Sequence, residues 1–542
     1  MKVAPCAGVC TRRKIPHNAR MATSFAQPDA PQATEAETPR QNSLLGWTLP
    51  ALGVVSLIAA CVLWSIKKPF AGDENFTRVE LADPSFTHLM RSAVHLGGGG
   101  MPLFYLTAWS WAHVFGLGEL SLRLYSCLAV CAAFLILCRS LERRFGAGAA
   151  FLGTAFGLFA SLIVIDQNVE ARGYGLYLLL AAIAAVEWLR VAEDPRPRLR
   201  DLALLALTQA GLVLGHVLGL LYAVLMLLAL MAADRLQRRF RPRVYGWFVA
   251  GWLALIPWIP AIRASAAVGR PHTWIPVPAL ADLAIGFSFW LFGGIYYPLF
   301  HAFPLGLFAG WLCAILCVAI LAGGALLRLR AERSHPPALL LGLALLLAPL
   351  VFFLISRVLS PIYVARYMVP SALGIVLLAA SSAQSSRILR RATLWSCVLL
   401  TFPVAAALLA RPVRLPVARI DQLAAGQPLV CDWLDDFLAM THSTAAPLAP
   451  QYPLDWQAAL DGPPAAVGAY HLMENYRQAG YLTNGLRDLP AVLEQPSFVV
   501  LDSARTNWFH LEIENNPEFS WRILAQVDKE HRVIAVQRKP VR

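Results

Sequence analysis

Six charged residues stand where a hydrocarbon-rich sequence has no need of charge. Asp73 and Glu74 fall in AGDENFTR (71–78), just after the first apolar run. Asp166, Glu170 and Arg172 fall in DQNVEARGYG (166–175), wedged between two more, and Arg366 opens a late one in SPIYVARYMVP (360–370), followed by Tyr367. Charges at a membrane cost several kcal/mol unless they are paired or hydrated, so each needs a reason. A carboxylate can take a proton from a hydroxyl or an amine, and a guanidinium can hold a phosphate by charge-assisted hydrogen bonds. Each residue taken singly also has a plainer reading. Asp73 and Glu74 can cap a helix, Glu170 and Arg172 can pair across a turn, and His216, in GLVLGHVLGL (211–220), can be a satisfied core histidine. Because Asp73 and Glu74 are adjacent, their carboxylates do not share a helical face. One can enter a site while the other caps a helix or meets a cation, which leaves room for a divalent ion there. Asp166 and Glu170, four apart, would share a face.

The elements that must position these groups are membrane spans. The chain has 542 residues, 57% of them hydrophobic and 15% charged, against roughly 45–50% apolar in a soluble domain. Stretches of about 20 apolar residues occur near 47–66, 119–138, 147–165, 173–191, 201–217, 219–234, 244–262, 303–327, 337–356, 364–383 and 392–410, which gives eleven expected spans. The aromatic stretch 101–116 is shorter. If it lies along the interface instead of crossing, the basic clusters 141–146, 190–200, 234–243, 327–335 and 385–391 all fall on one side.

That arrangement predicts a multi-pass plasma-membrane protein, of the bacterial inner-membrane type, with a cytoplasmic N-terminus. The loops 67–118 and 263–302 and everything past 411 would then face outward. The net charge of +13 reads as topology, and nucleic acid is excluded as a partner. Arg263, Arg270, His272 and Trp274 populate the second of those loops. Residues 1–45 read as a disordered tail, with Met21 as an alternative start, and the first span reads as retained and not as a cleaved signal peptide. Most of the ten cysteines lie in apolar segments, so neither a disulfide framework nor a zinc site is expected.

Residues 412–542 regain polar character. PLVCDWL (428–434), SFVVLDS (497–503) and HRVIAVQ (531–537) read as strands and AAVGAYHLMENYRQAG (465–480) as a helix, predicting a small external α/β domain after the membrane domain 46–411. It has no phosphate loop, HExxH motif or nucleophile elbow, so it reads as a structural or substrate-shaping cap.

The ordered set of segments from about 50 to 420 resembles the GT-C superfamily of membrane glycosyltransferases, of the protein O-mannosyltransferase and lipid A aminoarabinose transferase type (glycosyltransferase family 39-like). The carriers are Asp73-Glu74, 101–126, 141–180, GHVLGLLY (215–222) and ARYMVPSALGIVLLA (365–379). The resemblance implies an all-α polytopic fold and transfer of a sugar from a polyprenyl-phosphate donor to an acceptor outside the membrane. It implies Asp73 as catalytic carboxylate with Glu74 beside it. Glu170, Arg172, Asp166, His216, Tyr367 and Tyr105 would be binding residues, and Arg366 would hold the lipid phosphate. Where many relatives have His-Pro-Pro, this chain has GGGGMP (97–102), which removes a hydrogen-bonding group near donor or acceptor and puts substrate class, and activity itself, in question. The competing readings are a transporter or flippase for a lipid-linked sugar, which would put charges within spans and show internal repeats, and a GT-C scaffold without activity.

Overall fold

The computed structural model describes residues 43–70, 72–96, 101–269, 275–292, 306–331, 337–410, 415–441, 450–461, 464–504 and 508–540. Residues 1–42 of the expected tail, Gly97–Gly100, and Arg270, His272 and Trp274 lie outside the described residues, and residues 43–45 already belong to the first helix. Helices dominate up to residue 410. In chain order they begin with α1 (Ser43–Lys67), α2 (Asp73–Leu81), α3 (Phe86–His95), α4 (Pro102–Phe115) and α5 (Glu119–Phe145). Next come α6 (Ala147–Phe159), α7 (Leu162–Asn168), α8 (Tyr174–Glu193), α9 (Leu199–Gly215) and α10 (Gly219–Leu236). The remaining helices of this part are identified below by their residues.

Among the described residues, seven helical stretches are long and apolar enough to cross a membrane, and the pair α6–α7, bent by 77°, makes an eighth if it counts as one span. This is a multi-pass membrane protein. The count by length and composition among the described residues is seven or eight, which does not confirm the expected eleven. The other three stretches are helical too: α9 has 17 residues, and Gly306–Ala331 and Arg387–Ala410 are longer. The stretch 101–116 forms α4, whose 14 residues reach about 21 Å, short of a hydrocarbon core about 30 Å thick.

The bundle core is one apolar cluster that includes Phe134, Tyr177, Trp188, Tyr222 and Phe352. With no hydrophobic drive between helices in lipid, close approach of backbones matters. α6 carries Gly153 and Gly157 against the helix Ala372–Ser385, and a Cβ added at Gly153 would stand 2.5 Å from the Ala380 nitrogen. The two ends of the bundle differ. At one, Arg144 pairs with Glu193, Gln384 donates to the Arg144 carbonyl, and Arg241 binds Asp234 and the carbonyls of Val191 and Asp194, so basic connectors gather there. At the other end lie α2, α3, the α7–α8 turn and the start of the helical stretch Ala365–Ser385.

Past residue 410 the chain forms a four-stranded sheet in the order β1-β4-β6-β5, from β1 (Leu429–Cys431), β4 (Ser497–Ser503), β5 (Phe519–Gln526) and β6 (His531–Arg538). β1 runs parallel to β4, and β6 runs antiparallel to both neighbours. A separate parallel pair joins β2 (Tyr452–Leu454) to β3 (Leu486–Asp488). The helix Pro464–Gln478 packs with this region, and Met473 and Tyr476 share an apolar cluster with Val79 of α2 and Leu96. α2 is thus enclosed between the bundle and the C-terminal region.

Candidate functional site

α2 begins where Gly72 adopts a positive φ of 49°, a turn that costs a glycine little and a bulkier residue more. Asp73 and Glu74 occupy the first helical turn, where the exposed N–H groups favour negative charge. Their side chains part company at once. Glu74 is buried and takes two hydrogen bonds of 2.8 Å from Arg123 of α5, at Nε and Nη2, plus one of 3.0 Å from the Ala171 amide. Arg123 spends its remaining donors on the Lys68 and Pro69 carbonyls. Asp73, about a third exposed, points elsewhere: its Oδ2 lies 2.9 Å from Arg366 Nη2 and 3.8 Å from Arg172 Nη2.

Arg172 is held in place by α2 itself. Its Nη1 donates to the Asp73 carbonyl (3.1 Å) and to Thr77 Oγ1 (2.9 Å). Arg366 lies over the ring of Tyr367, 5.8 Å from its centre. Burial opposes ionisation of Asp73, but Arg172 and Arg366 outweigh it and hold the carboxyl below its ordinary pKa. Two guanidiniums meet at one carboxylate, so the cluster offers an incoming anion several N–H donors.

Glu170 sits in the turn after α7 and accepts from Gln167 Nε2 at 3.2 Å. Burial, then the negative charges of Asp166 and Glu74, push its pKa up to about 7, with Lys68 and Arg366 pulling the other way. Asp166 lies on α7 and acts on Glu170 through this charge.

His216 follows α9 and accepts the Leu218 amide at Nδ1 (3.2 Å). Its ring stacks on Tyr177, with centroids 4.4 Å apart and planes 15° apart, and faces Tyr174 and Tyr367 at 5.5 and 5.7 Å. His216 and Tyr367 therefore form an aromatic wall beside Arg366. Tyr105 lies apart from it: its hydroxyl is buried and donates to Glu80 Oε2 at 3.0 Å.

The arrangement brings together Asp73, Arg172, Arg366, Tyr367 and His216, with Glu170 and Asp166 alongside. Glu74 and Tyr105 face neighbouring partners behind α2. The residues do not fit a divalent cation at Asp73 and Glu74, because each carboxylate faces a guanidinium, and the described residues hold no group of three His, Cys, Asp or Glu able to bind a metal. Arg263 lies exposed on the helix Ile259–Gly269, not in a loop. Sequence reasoning misses Arg123, Glu80, Tyr174 and Tyr476. Arg123 near the start of an apolar helix reads as a residue snorkelling to the interface, and Glu80 reads as an ordinary exposed acid. Only the partners, 49 and 396 residues away, give them meaning.

No protein-family model and no curated protein matches the sequence. Solved structures do. ArnT from Cupriavidus metallidurans bound to undecaprenyl phosphate aligns with a TM-score of 0.57 at 15% identity, over 91% of this chain and 98% of that one. ArnT from the same organism in the apo state aligns with a TM-score of 0.55 at 15% identity, over 90% and 98%. At this identity the likeness is one of fold, and it covers nine tenths or more of both chains: this protein shares the fold of those ArnT structures.

Proposed function

We propose that this protein is a membrane glycosyltransferase that moves a sugar from a polyprenyl-phosphate donor to an acceptor at the outer face of the membrane. The observation that carries the reading is the Asp73 carboxylate set between Arg366 and Arg172, three groups brought together from remote segments. A similar fold holding undecaprenyl phosphate supports the lipid class. The gathering of basic connectors at the opposite end supports an outward-facing site, with the N-terminus inside, the region past 411 outside, and the bacterial inner membrane as location.

In this reading the donor phosphate engages Arg366 and the Nη2 of Arg172 and takes up charge that Asp73 otherwise meets. The carboxylate, no longer neutralised, gains proton affinity when donor is bound. It takes the proton of the acceptor hydroxyl, whose oxygen attacks the anomeric carbon as the bond to the phosphate oxygen breaks. The leaving polyprenyl phosphate keeps the electron pair, and the two guanidiniums stabilise its charge. A single displacement inverts the anomeric centre. Glu74, held by Arg123, orients the first turn of α2. Glu170, Asp166, His216 and Tyr367 line the site.

Transfer of radiolabel from a polyprenyl-phosphate sugar to a membrane extract, compared between wild type and Asp73→Asn, tests the reading. A loss of about 10²–10⁴-fold in the variant is expected for a general base. Equal transfer by both proteins would remove Asp73 from that role, and no transfer by wild type with any polyprenyl-phosphate sugar would favour a scaffold without activity.

A further inference from the structure

α2 has nine residues, too few to hold itself as a helix, so its direction is set by what grips it. Asp73, Thr77 and Glu80 recur at i, i+4 and i+7 and share one stripe. The front of that stripe meets Arg366 and Arg172. The rear is held from another part of the chain: Tyr476, on the helix Pro464–Gln478, donates to Glu80 Oε1 at 2.6 Å, while Tyr105 of α4 donates to Oε2 at 3.0 Å. The Tyr476 ring packs on Phe76, with centroids 5.2 Å apart.

One turn further, Tyr481 donates to Asp83 Oδ2 at 2.6 Å, and the Tyr481 ring lies 5.9 Å from that of Tyr476. Glu80 and Tyr476 are both fully enclosed, so no water competes for these bonds. A hydrogen bond to a buried carboxylate is among the stronger ones in a protein, and leaving one oxygen without it is costly.

We propose that Tyr476, seconded by Tyr481, is a positioning residue for sugar transfer: the C-terminal region fixes the angle of α2 through Glu80 and Asp83 and so aims Asp73 at the acceptor. The C-terminal region is then part of the catalytic apparatus and not an appendage, and a rearrangement on the acceptor's side reaches the base through two tyrosine hydroxyls. The inference rests on the reading of Asp73 as base. Its sharpest consequence is a split in kinetics. Arg366 opens a bundle helix and takes no support from the rest of α2, so loosening α2 lowers kcat far more than it raises the donor KM, to which only Arg172, bonded to Thr77 and the Asp73 carbonyl, answers.

The experiment uses the full-length protein in detergent or nanodiscs, with Tyr476→Phe, Tyr481→Phe and, as control, Tyr470→Phe on the same helix. Phenylalanine keeps the ring packing and removes only the hydroxyl. Tyr476→Phe is expected to lower kcat about tenfold, the scale of one lost hydrogen bond to a carboxylate. Donor KM should stay within about twofold and amide exchange across 73–82 should quicken by a similar factor. Tyr481→Phe should do the same more weakly, and Tyr470→Phe should change neither. Unchanged kcat with unchanged exchange in Tyr476→Phe overturns the inference, as does a loss confined to donor KM. If Asp73→Asn transfers sugar as well as wild type, the base reading fails by itself. The grip on α2 then stands or falls on the exchange data alone.

Discussion

Two neighbouring carboxylates in this protein do opposite work. Glu74 is spent on a fully buried guanidinium, whereas Asp73 is about a third exposed and shared between two guanidiniums. Substitution should separate them. Glu74→Gln leaves Arg123 buried with its charge uncompensated and should destabilise the protein by about 3–5 kcal/mol, seen as a large fall in melting temperature of the detergent-solubilised chain. Asp73→Asn should shift stability by less than about 1 kcal/mol, as expected of a partly exposed pair, while lowering transfer about 10²–10⁴-fold if Asp73 is the proposed base. A comparable loss of stability in both would mean that Asp73 is structural. The sequence makes Asp73, Arg172 and Arg366 legible because charge beside a long apolar run demands an explanation. It cannot tell Asp73 from Glu74, because the difference lies in which guanidinium each meets, and Arg123 enters the chain only 49 residues later.

At the scale of elements, α6 shows how this bundle is closed. Gly153 and Gly157 let it lie against the helix Ala372–Ser385 at backbone contact, and the chain bends 77° after Phe159 into α7, which delivers Asp166 and the Glu170–Arg172 turn. Gly153→Val places a branched side chain where even a Cβ would meet the Ala380 nitrogen at 2.5 Å and its Cβ at 2.6 Å. The two helices must separate, so the variant is expected to lose folded yield and about 1–3 kcal/mol or more of stability, measured by size-exclusion profile and melting after extraction. Gly148→Val, on the same helix with open space around it, should be tolerated. The apolar stretch 147–165 reads as a span, but its bend is not legible. The break at Ala160–Ser161 contains no proline, and Ser161 Oγ instead donates to the Trp290 carbonyl, a partner 129 residues away. β5 is missed for a related reason. It is an edge strand with most of its residues exposed, so FSWRILAQ lacks the apolar run that marks β4.

At the scale of the whole molecule, the region past 410 has its own response to pH. His531 lies 3.2 Å from Asp436 and 2.8 Å from Asp528. Burial would lower its pKa, but the two carboxylates overcome this and push it up to about 9. A histidine raised in this way stabilises the folded state fully below its ordinary value near 6.5, and the contribution fades as pH climbs through 9. The melting temperature of wild type should therefore fall more between pH 6.5 and 9.5 than that of His531→Gln, by the equivalent of at most about 3 kcal/mol. Parallel curves for the two proteins would discard the ion-pair account. The buried Arg123 carries a different consequence. Its side chain closes on Lys68, Pro69 and Glu74, so the link leaving α1 has its anchor on α5. A variant that lacks this cation, Arg123→Met, is therefore expected to loosen the seam between the first two long helices, seen as faster proteolysis of the link at 68–72.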